Sequence, residues 1–340
     1  GVDAKWEIDI IGAVRNRAKS QKAAYLASQE EYDGVMTALV AQTVQTYVQL
    51  RTSQWRLQVI ESNLESQKET MEITEARFNA GLASALDVAQ AKSIYYATQS
   101  QVPAMESQVS AYINQMGILL GQVPWSVEEE MALPDGQTEL SPNMVVSVGI
   151  PAEVLRQRPD VRAAEKNIDA KAAMVGARVA DWLPRFFVTG QFGYASENFQ
   201  DLFNNNNMYW QVAPSVQWNI FSGTTLSGNI QAAKAGLEEA INNYNNTVLT
   251  ALQEVDDAMT HYRHASAEVV AMQKAFDQAE ITNQLAIDLY KKGLIDFQNV
   301  LDAQRSLLQY EDNLVVAKSS VSLSLVQLYR ALGGEWNNEQ

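Results

Sequence analysis

Val2-Asp3-Ala4-Lys5-Trp6-Glu7-Ile8-Asp9-Ile10 alternates without exception, with apolar side chains at the even positions and charged ones between them. A period of two is that of a β-strand with one apolar and one charged face. The pattern returns in Trp210, Val212, Pro214, Val216, Trp218 and Ile220, set against Gln211, Ala213, Ser215, Gln217 and Asn219. A third strand is expected over residues 185–195, where Phe186, Val188, Phe192 and Tyr194 oppose Thr189 and Gln191. It reaches its partner through the polar loop Ser196–Asn207, in which Asn204–Asn207 is a turn-forming run. Strands of about ten residues, apolar and aromatic outside and polar inside, are the pattern of a transmembrane β-barrel wall. The competing reading is a half-buried hairpin of a soluble sandwich.

Working outward from these strands, the chain repeats itself. Trp6, Ile8, Lys22, Ala23, Tyr32, Arg51, Gly81, Leu82, Val88, Ala91, Leu120 and Gly121 recur as Trp218, Ile220, Lys234, Ala235, Tyr244, Arg263, Gly293, Leu294, Val300, Ala303, Leu332 and Gly333, each 212 positions on. Small solenoid repeats recur every 20–50 residues or so, whereas a gapless spacing this large implies two big pseudo-symmetric copies built of long regular elements. Two complete units need roughly 85 residues more than are present, and any signal peptide or lipidation cysteine is expected in that upstream portion.

Each strand is followed by about 65 residues of helical periodicity without proline, Arg15–Phe78 and Gly228–Lys292, spanning roughly 100 Å at 1.5 Å per residue. Gly81 and Gly293 supply left-handed helix ends, and Ser84 and Asp296 are placed to accept the free amide hydrogens of the helices that follow. Two tight helical hairpins result. Their return helices run to Leu120 and Leu332, with Pro103 as the interior proline and an expected kink. Pro124, Pro134, Gly136, Pro142 and Pro151 break the pattern before Pro159, at a first helical position, and Asp160 open another helix that runs to about Asp181 and is stopped by Pro184.

Composition removes several classes of function. A net charge of −15 lacks the basic stripe that a nucleic-acid partner requires. Zero cysteines exclude disulfides, thiolate metal sites and a cysteine nucleophile in this chain. No apolar run reaches the ~18 residues of a membrane-spanning helix. There is no Gly-rich phosphate loop, catalytic triad or carboxylate pair in a cleft, so neither an enzyme nor a cofactor is expected.

The segment Ile150-Pro151-Ala152-Glu153-Val154-Leu155-Arg156-Gln157-Arg158-Pro159-Asp160-Val161-Arg162-Ala163-Ala164-Glu165 resembles a signature of the outer-membrane efflux duct (TolC) family, in its OprM-like branch. Trp6–Gly12, Gly293-Leu294, Leu301-Asp302-Ala303-Gln304-Arg305 and Leu328–Gly334 match the same branch, so the resemblance covers nearly the whole chain. It implies a mixed α and β fold: a homotrimer in which each protomer gives four strands to one barrel in outer-membrane lipid, while very long coiled-coil-like helices form a periplasmic α-barrel with an equatorial belt. Three of those four strands are present here. The implied function is the passive exit duct of a tripartite efflux pump, whose partners are a periplasmic adaptor and an inner-membrane pump. The alternative is a soluble periplasmic helical scaffold with a small β cap, which has no reason to set Trp6, Trp210 and Trp218 on one apolar face.

On this reading residues 1–11 are a barrel strand, 12–121 an α-barrel hairpin, 122–157 the belt, 158–184 an upper helix, 185–221 the barrel hairpin, 222–333 the second α-barrel hairpin and 334–340 a tail. The resemblance implies that Gly81-Leu82 and Gly293-Leu294 are the tips at which the periplasmic adaptor docks. The competing account is simple helix termination, which explains the glycines, whereas an apolar leucine exposed at each tip is better explained by a partner. Asp87, three residues after Ser84, is accounted for by capping. Asp302 lies beyond capping reach on the face shared by Asn299, and the resemblance implies that three copies ring the periplasmic gate and admit cations. A plain surface pair with Arg305 is the competing account. Some relatives carry a second acid at the Asn299 position and an arginine at that of Leu289; Tyr290 keeps the aromatic of that latch. His261, His264 and Asp257 share one helical face, but without a third strong ligand they read as a solvated surface rather than a metal site.

Overall fold

The computed structural model describes residues 1–133, 156–197, 200 and 203–334. Most of the 122–157 belt, residues 150–155 of the signature, part of the Ser196–Asn207 loop and nearly all of the 334–340 tail lie outside these residues. In chain order the elements are β1 (Val2–Ile8), α1 (Ala13–Asn79), α2 (Ala85–Gln99), α3 (Gln101–Leu119), α4 (Pro159–Ala180), β2 (Arg185–Tyr194), β3 (Met208–Gln217), α5 (Gly223–Lys291) and α6 (Phe297–Ala331), with short 3-10 turns at Pro124–Val127 and Asn205–Asn207. They fall into two compact units, residues 1–34 with 152–251 and residues 35–151 with 252–340.

The first unit holds an antiparallel sheet in the order β1-β2-β3. Opposed residues in such a sheet point to the same face, and the register makes four wholly apolar rows: Val2, Phe192 and Trp210; Ala4, Gly190 and Val212; Trp6, Val188 and Pro214; Ile8, Phe186 and Val216. The other face carries Asp3, Gln191 and Gln211, then Lys5, Thr189 and Ala213, then Glu7, Phe187 and Ser215. Phe187 is the exception there, and the Lys5 ammonium covers its ring at 4.2 Å. Pro214 lies in β3, an edge strand of the sheet among the described residues.

The strands stop short of the alternating sequence. β1 ends at Ile8, not Ile10, because Asp9 turns to cap α1, accepting from the Val14 and Arg15 amides at 3.2 and 2.8 Å. β3 ends at Gln217, leaving Trp218 and Ile220 beyond it; the Trp218 indole donates to the Trp182 carbonyl at 3.1 Å. Pro159 opens α4 as expected. Burial alone would raise the Asp160 pKa, but the bonds and charge of Arg158, together with backbone bonds from Val161 and Asp160, outweigh it and hold the carboxyl below its ordinary value. Arg162 ties α4 to α1 through Glu30 at 2.6 Å, and Asp181, past the end of α4, gathers Arg17 and Arg185 at 2.7 and 2.5 Å.

The second unit is the hairpin region. Gly81 and Gly293 have φ of +73° and +71°. At each, two bonds close the helix end: Gly81 to the Phe78 carbonyl and Leu82 to that of Arg77, Gly293 to Tyr290 and Leu294 to Leu289, all within 2.8–2.9 Å. Ser84 and Asp87 form a reciprocal capping box, with bonds of 2.9 and 3.1 Å. Asp296 differs from expectation: it occupies the cap position of α6, but its carboxylate makes no capping bond. The α5 helix also begins at Gly223, five residues before the expected Gly228. Pro103 does more than kink its helix, since α2 and α3 are separated at Ser100. Proline lacks the N–H that would bond back four residues, which interrupts the ladder there.

Packing in this unit mixes small apolar residues with a polar seam. Ala91, Ile94, Ala286, Tyr290, Phe297, Val300, Leu301 and Ala303 form a core behind the tips. Farther along, buried Leu50, Ile113, Met116 and Val127 cluster where Gly117 lets the Pro124 backbone approach to 2.7 Å of the missing Cβ. The seam includes Gln304 donating to Thr70 at 2.8 Å, Thr52 to Ser319 at 2.7 Å and Arg56 to Asp312 at 2.6 Å. Asn63 donates to Glu311 at 2.7 Å, yet burial, aided by the charge of Glu280, pushes the Glu311 carboxyl above its ordinary value.

Candidate functional site

Three surfaces answer to the sequence expectations. The first is the apolar face of the sheet. Val2, Trp6, Trp210, Val212 and Val216 are each at least 61% exposed in the chain, although they stand in unbroken apolar rows. An exposed apolar area of this kind marks a surface that meets another apolar medium. Tyr194 stacks edge-on against Phe192 and Phe203 at the hairpin-loop end, whereas at the end nearer the helices the Trp218 indole meets the Trp182 carbonyl. Among the described residues no helix is long and apolar enough to cross a membrane.

The second surface is the pair of tips. Leu82 and Leu294 are each 67% exposed, directly after their left-handed glycines. No atom lies within 4 Å of a Cβ built on Gly81, so its glycine is required by backbone angle and not by crowding. One residue at the tips escaped the sequence reading. The Arg77 guanidinium lies over the ring of Tyr290, 4.7 Å from its centre. The available signal was a mismatch in the repeat, which sets Arg77-Phe78 against Leu289-Tyr290.

The third surface is a groove of about 540 Å³ between α5 and α6, bordered by Gln278, Thr282, Asn299, Asp302, Ser306 and Tyr310. Asn299 and Asp302 are exposed and share it, as their spacing implies. Asp302 accepts from Gln298 at 3.0 Å, and Arg305 approaches it at 4.0 Å. Both partners of the latter pair are well exposed, so it stabilises the helix little. Tyr290 does not line this groove: it is 4% exposed in the core behind the tips, edge-on to Phe297 at 5.4 Å, and its hydroxyl has no hydrogen-bond partner among the described residues. The core that holds it shares Ala286 and Ala303 with the groove that Asn299 and Asp302 line. His261 and His264 are exposed, and Asp257 accepts from Gln253 at 3.4 Å. Among the described residues no group of three or more His, Cys, Asp or Glu is placed to hold a metal ion.

The sequence matches the family described as outer membrane efflux protein over residues 1–122 and 150–334. It is 30% identical to the solvent efflux pump outer membrane protein SrpC of Pseudomonas putida, across 100% of this chain and 72% of that protein. It is 27% identical to the cation efflux system protein CusC of Escherichia coli O6:H1, across 99% and 72%. The structure of the outer-membrane channel OprN superposes with a TM-score of 0.93 at 32% identity, covering 99% of this chain and 75% of that one. A structure of CusC gives 0.91 at 26% identity, covering 98% and 77%. The apolar wall of four three-residue rows, the long helical hairpins and these matches agree: the chain belongs to the outer membrane efflux protein family.

Proposed function

We infer that this chain is the outer-membrane exit duct of a tripartite efflux pump, receiving solutes at its helical periplasmic end and releasing them through its barrel. The sheet carries this reading. Its apolar face suits lipid and its polar face suits a water-filled lumen. Both outer edges, of β1 and of β3, lack a partner strand among the described residues. Each unpaired backbone group costs several kcal/mol in hydrocarbon, so the wall closes only with further strands, which a homotrimer supplies. The duct works by conduction and gating rather than by catalysis.

Residues 1–11 and 185–221 belong to the barrel, 12–121 and 222–333 to the α-barrel hairpins, 158–184 to an upper helix and 122–157 to the belt. Leu82 and Leu294 dock a periplasmic adaptor, which links the duct to an inner-membrane pump. Asp302, with Asn299 beside it, lines the gate, where three symmetry-related carboxylates attract cations. Tyr290 belongs to the same gate region, backing it from the core that shares Ala286 and Ala303 with the groove. Relatives are named for solvent and cation efflux, and pump and adaptor set the cargo.

The test uses the full-length protein in a strain lacking its own duct. Leu294→Asp, with Gly293 kept, leaves the trimer folded but weakens cross-linking to the adaptor and lowers export, because a carboxylate is desolvated there without a partner. Unchanged cross-linking together with full export removes the tip from the interface.

A further inference from the structure

The two tips are joined to each other. Each long helix leaves its last carbonyls without intrahelical partners, and Arg77, in the last turn of α1, satisfies one belonging to α5. Its Nη1 donates to the carbonyl oxygen of Lys291, the final residue of α5, at 3.0 Å. The same guanidinium covers the Tyr290 ring, which the tip core holds in place against Phe297. Arg77 Nη2 stands 3.5 Å from the position of a Cβ on Gly293, so the arginine reaches up to the turn that ends α5. A peripheral ion pair, Lys291 to Glu69 at 3.4 Å, spans the same two helices.

The repeat makes this contact single and directional. Where the first copy has Arg77-Phe78 the second has Leu289-Tyr290, so the cation stands on one hairpin and its aromatic platform on the other. Neither half forms the contact within its own hairpin. We propose that Arg77 locks the two tips into one composite platform, giving a partner that touches Leu82 and Leu294 a surface of fixed spacing and passing a displacement of either tip to the other. The coupling rests on the contacts themselves, and only the identity of the partner rests on the adaptor-docking reading. Arg77 is therefore a positioning residue. Lysine keeps its charge but has neither the planar fork nor the stacking face.

Amide hydrogen exchange on the full-length protein tests the lock without any partner present. In Arg77→Met, amides of Lys291–Phe297, on the opposite hairpin, exchange about tenfold faster than in the parent, the loss expected of a charge-assisted bond and a cation–π contact at a partly exposed site. Arg77→Lys, which preserves charge and folding, falls between the two. Coupling is reciprocal, so Tyr290→Leu speeds exchange at Leu82–Ser84 by a comparable factor, whereas Tyr290→Phe, which removes only a hydroxyl without a partner, changes nothing. Parent-like exchange at Lys291–Phe297 in both Arg77 variants, or acceleration confined to the α1 tip, overturns the proposal. If exchange accelerates as stated while Leu294→Asp leaves adaptor cross-linking intact, the lock stands and the docking reading alone fails.

Discussion

The two helical hairpins are built on one repeat, yet one is broken and the other is a continuous rod. The return arm of the first is split at Ser100 into α2 and α3, whereas α6 runs without interruption from Phe297 to Ala331. Pro103 accounts for the split, since its counterpart 212 residues on is Val315. The entry into the arm differs as well: Ser84 and Asp87 cap α2 reciprocally, but Asp296 and Asn299 stand at those positions in α6 and the Asp296 carboxylate makes no capping bond. At the far end Gly117 admits the Pro124 backbone, where the second copy has Tyr329. A shared hydrophobic outline thus survives large local differences. The unbroken arm is also the one that carries Asp302.

The largest effect is expected from importing the break. Val315→Pro in the full-length protein costs about 3 kcal/mol or more, because it removes a ladder bond and clashes with the preceding turn. Pro103→Ala moves stability by no more than about 1 kcal/mol, since the first arm has already accommodated the break. Denaturant midpoints of the detergent-solubilised trimer decide this, and equal effects at the two positions erase the distinction between the arms. Next come the caps. Ser84→Ala costs about 1 kcal/mol, whereas Asp296→Ala costs only a few tenths, roughly the dipole contribution of an exposed acid. Matching losses in thermal melts indicate that Asp296 caps α6 after all. The smallest effect on stability, with the clearest effect on conduction, belongs to Asp302→Ala: melting stays close to the parent, while in planar bilayers cation preference falls and block by divalent cations from the periplasmic side weakens. Gln90→Ala, the same change at the corresponding place in the first hairpin, leaves both unaltered. Unchanged selectivity in Asp302→Ala makes that residue an ordinary surface aspartate.

Local rules made much of this legible in advance. Period-two alternation located every described strand, and its phase put Trp6, Val188, Val212 and their row neighbours on one face and Asp3, Gln191 and Gln211 on the other, as the register has them, with Phe187 unassigned. Gly81, Gly293 and Pro159 marked helix ends because their backbone requirements are written in single residues. What escaped depends on partners distant in sequence or on competition between neighbours. The alternation through Ile10 gave no sign that Asp9 would leave the strand to cap α1. The spacing of Asp296 suited a cap, but spacing does not fix a rotamer. Tyr290 was grouped with Asn299 and Asp302 by resemblance, but no local pattern showed its burial against Phe297 in the core beside their groove. Arg77 meets a carbonyl 214 residues away, beyond the reach of any local pattern.

The central claim is that the two faces of the sheet meet different media, lipid and water. It is tested most directly by placing one charge on each face at adjacent positions of β3 in the full-length protein. Val212 lies in an apolar row with Ala4 and Gly190, and Gln211 lies in a polar row with Asp3 and Gln191. An arginine facing lipid near mid-membrane costs about 2–4 kcal/mol per protomer. Val212→Arg is therefore expected to deplete the trimer from outer-membrane fractions, while Gln211→Arg inserts like the parent. Equal insertion of the two variants, or loss of Gln211→Arg alone, contradicts the assignment of the faces and with it the duct.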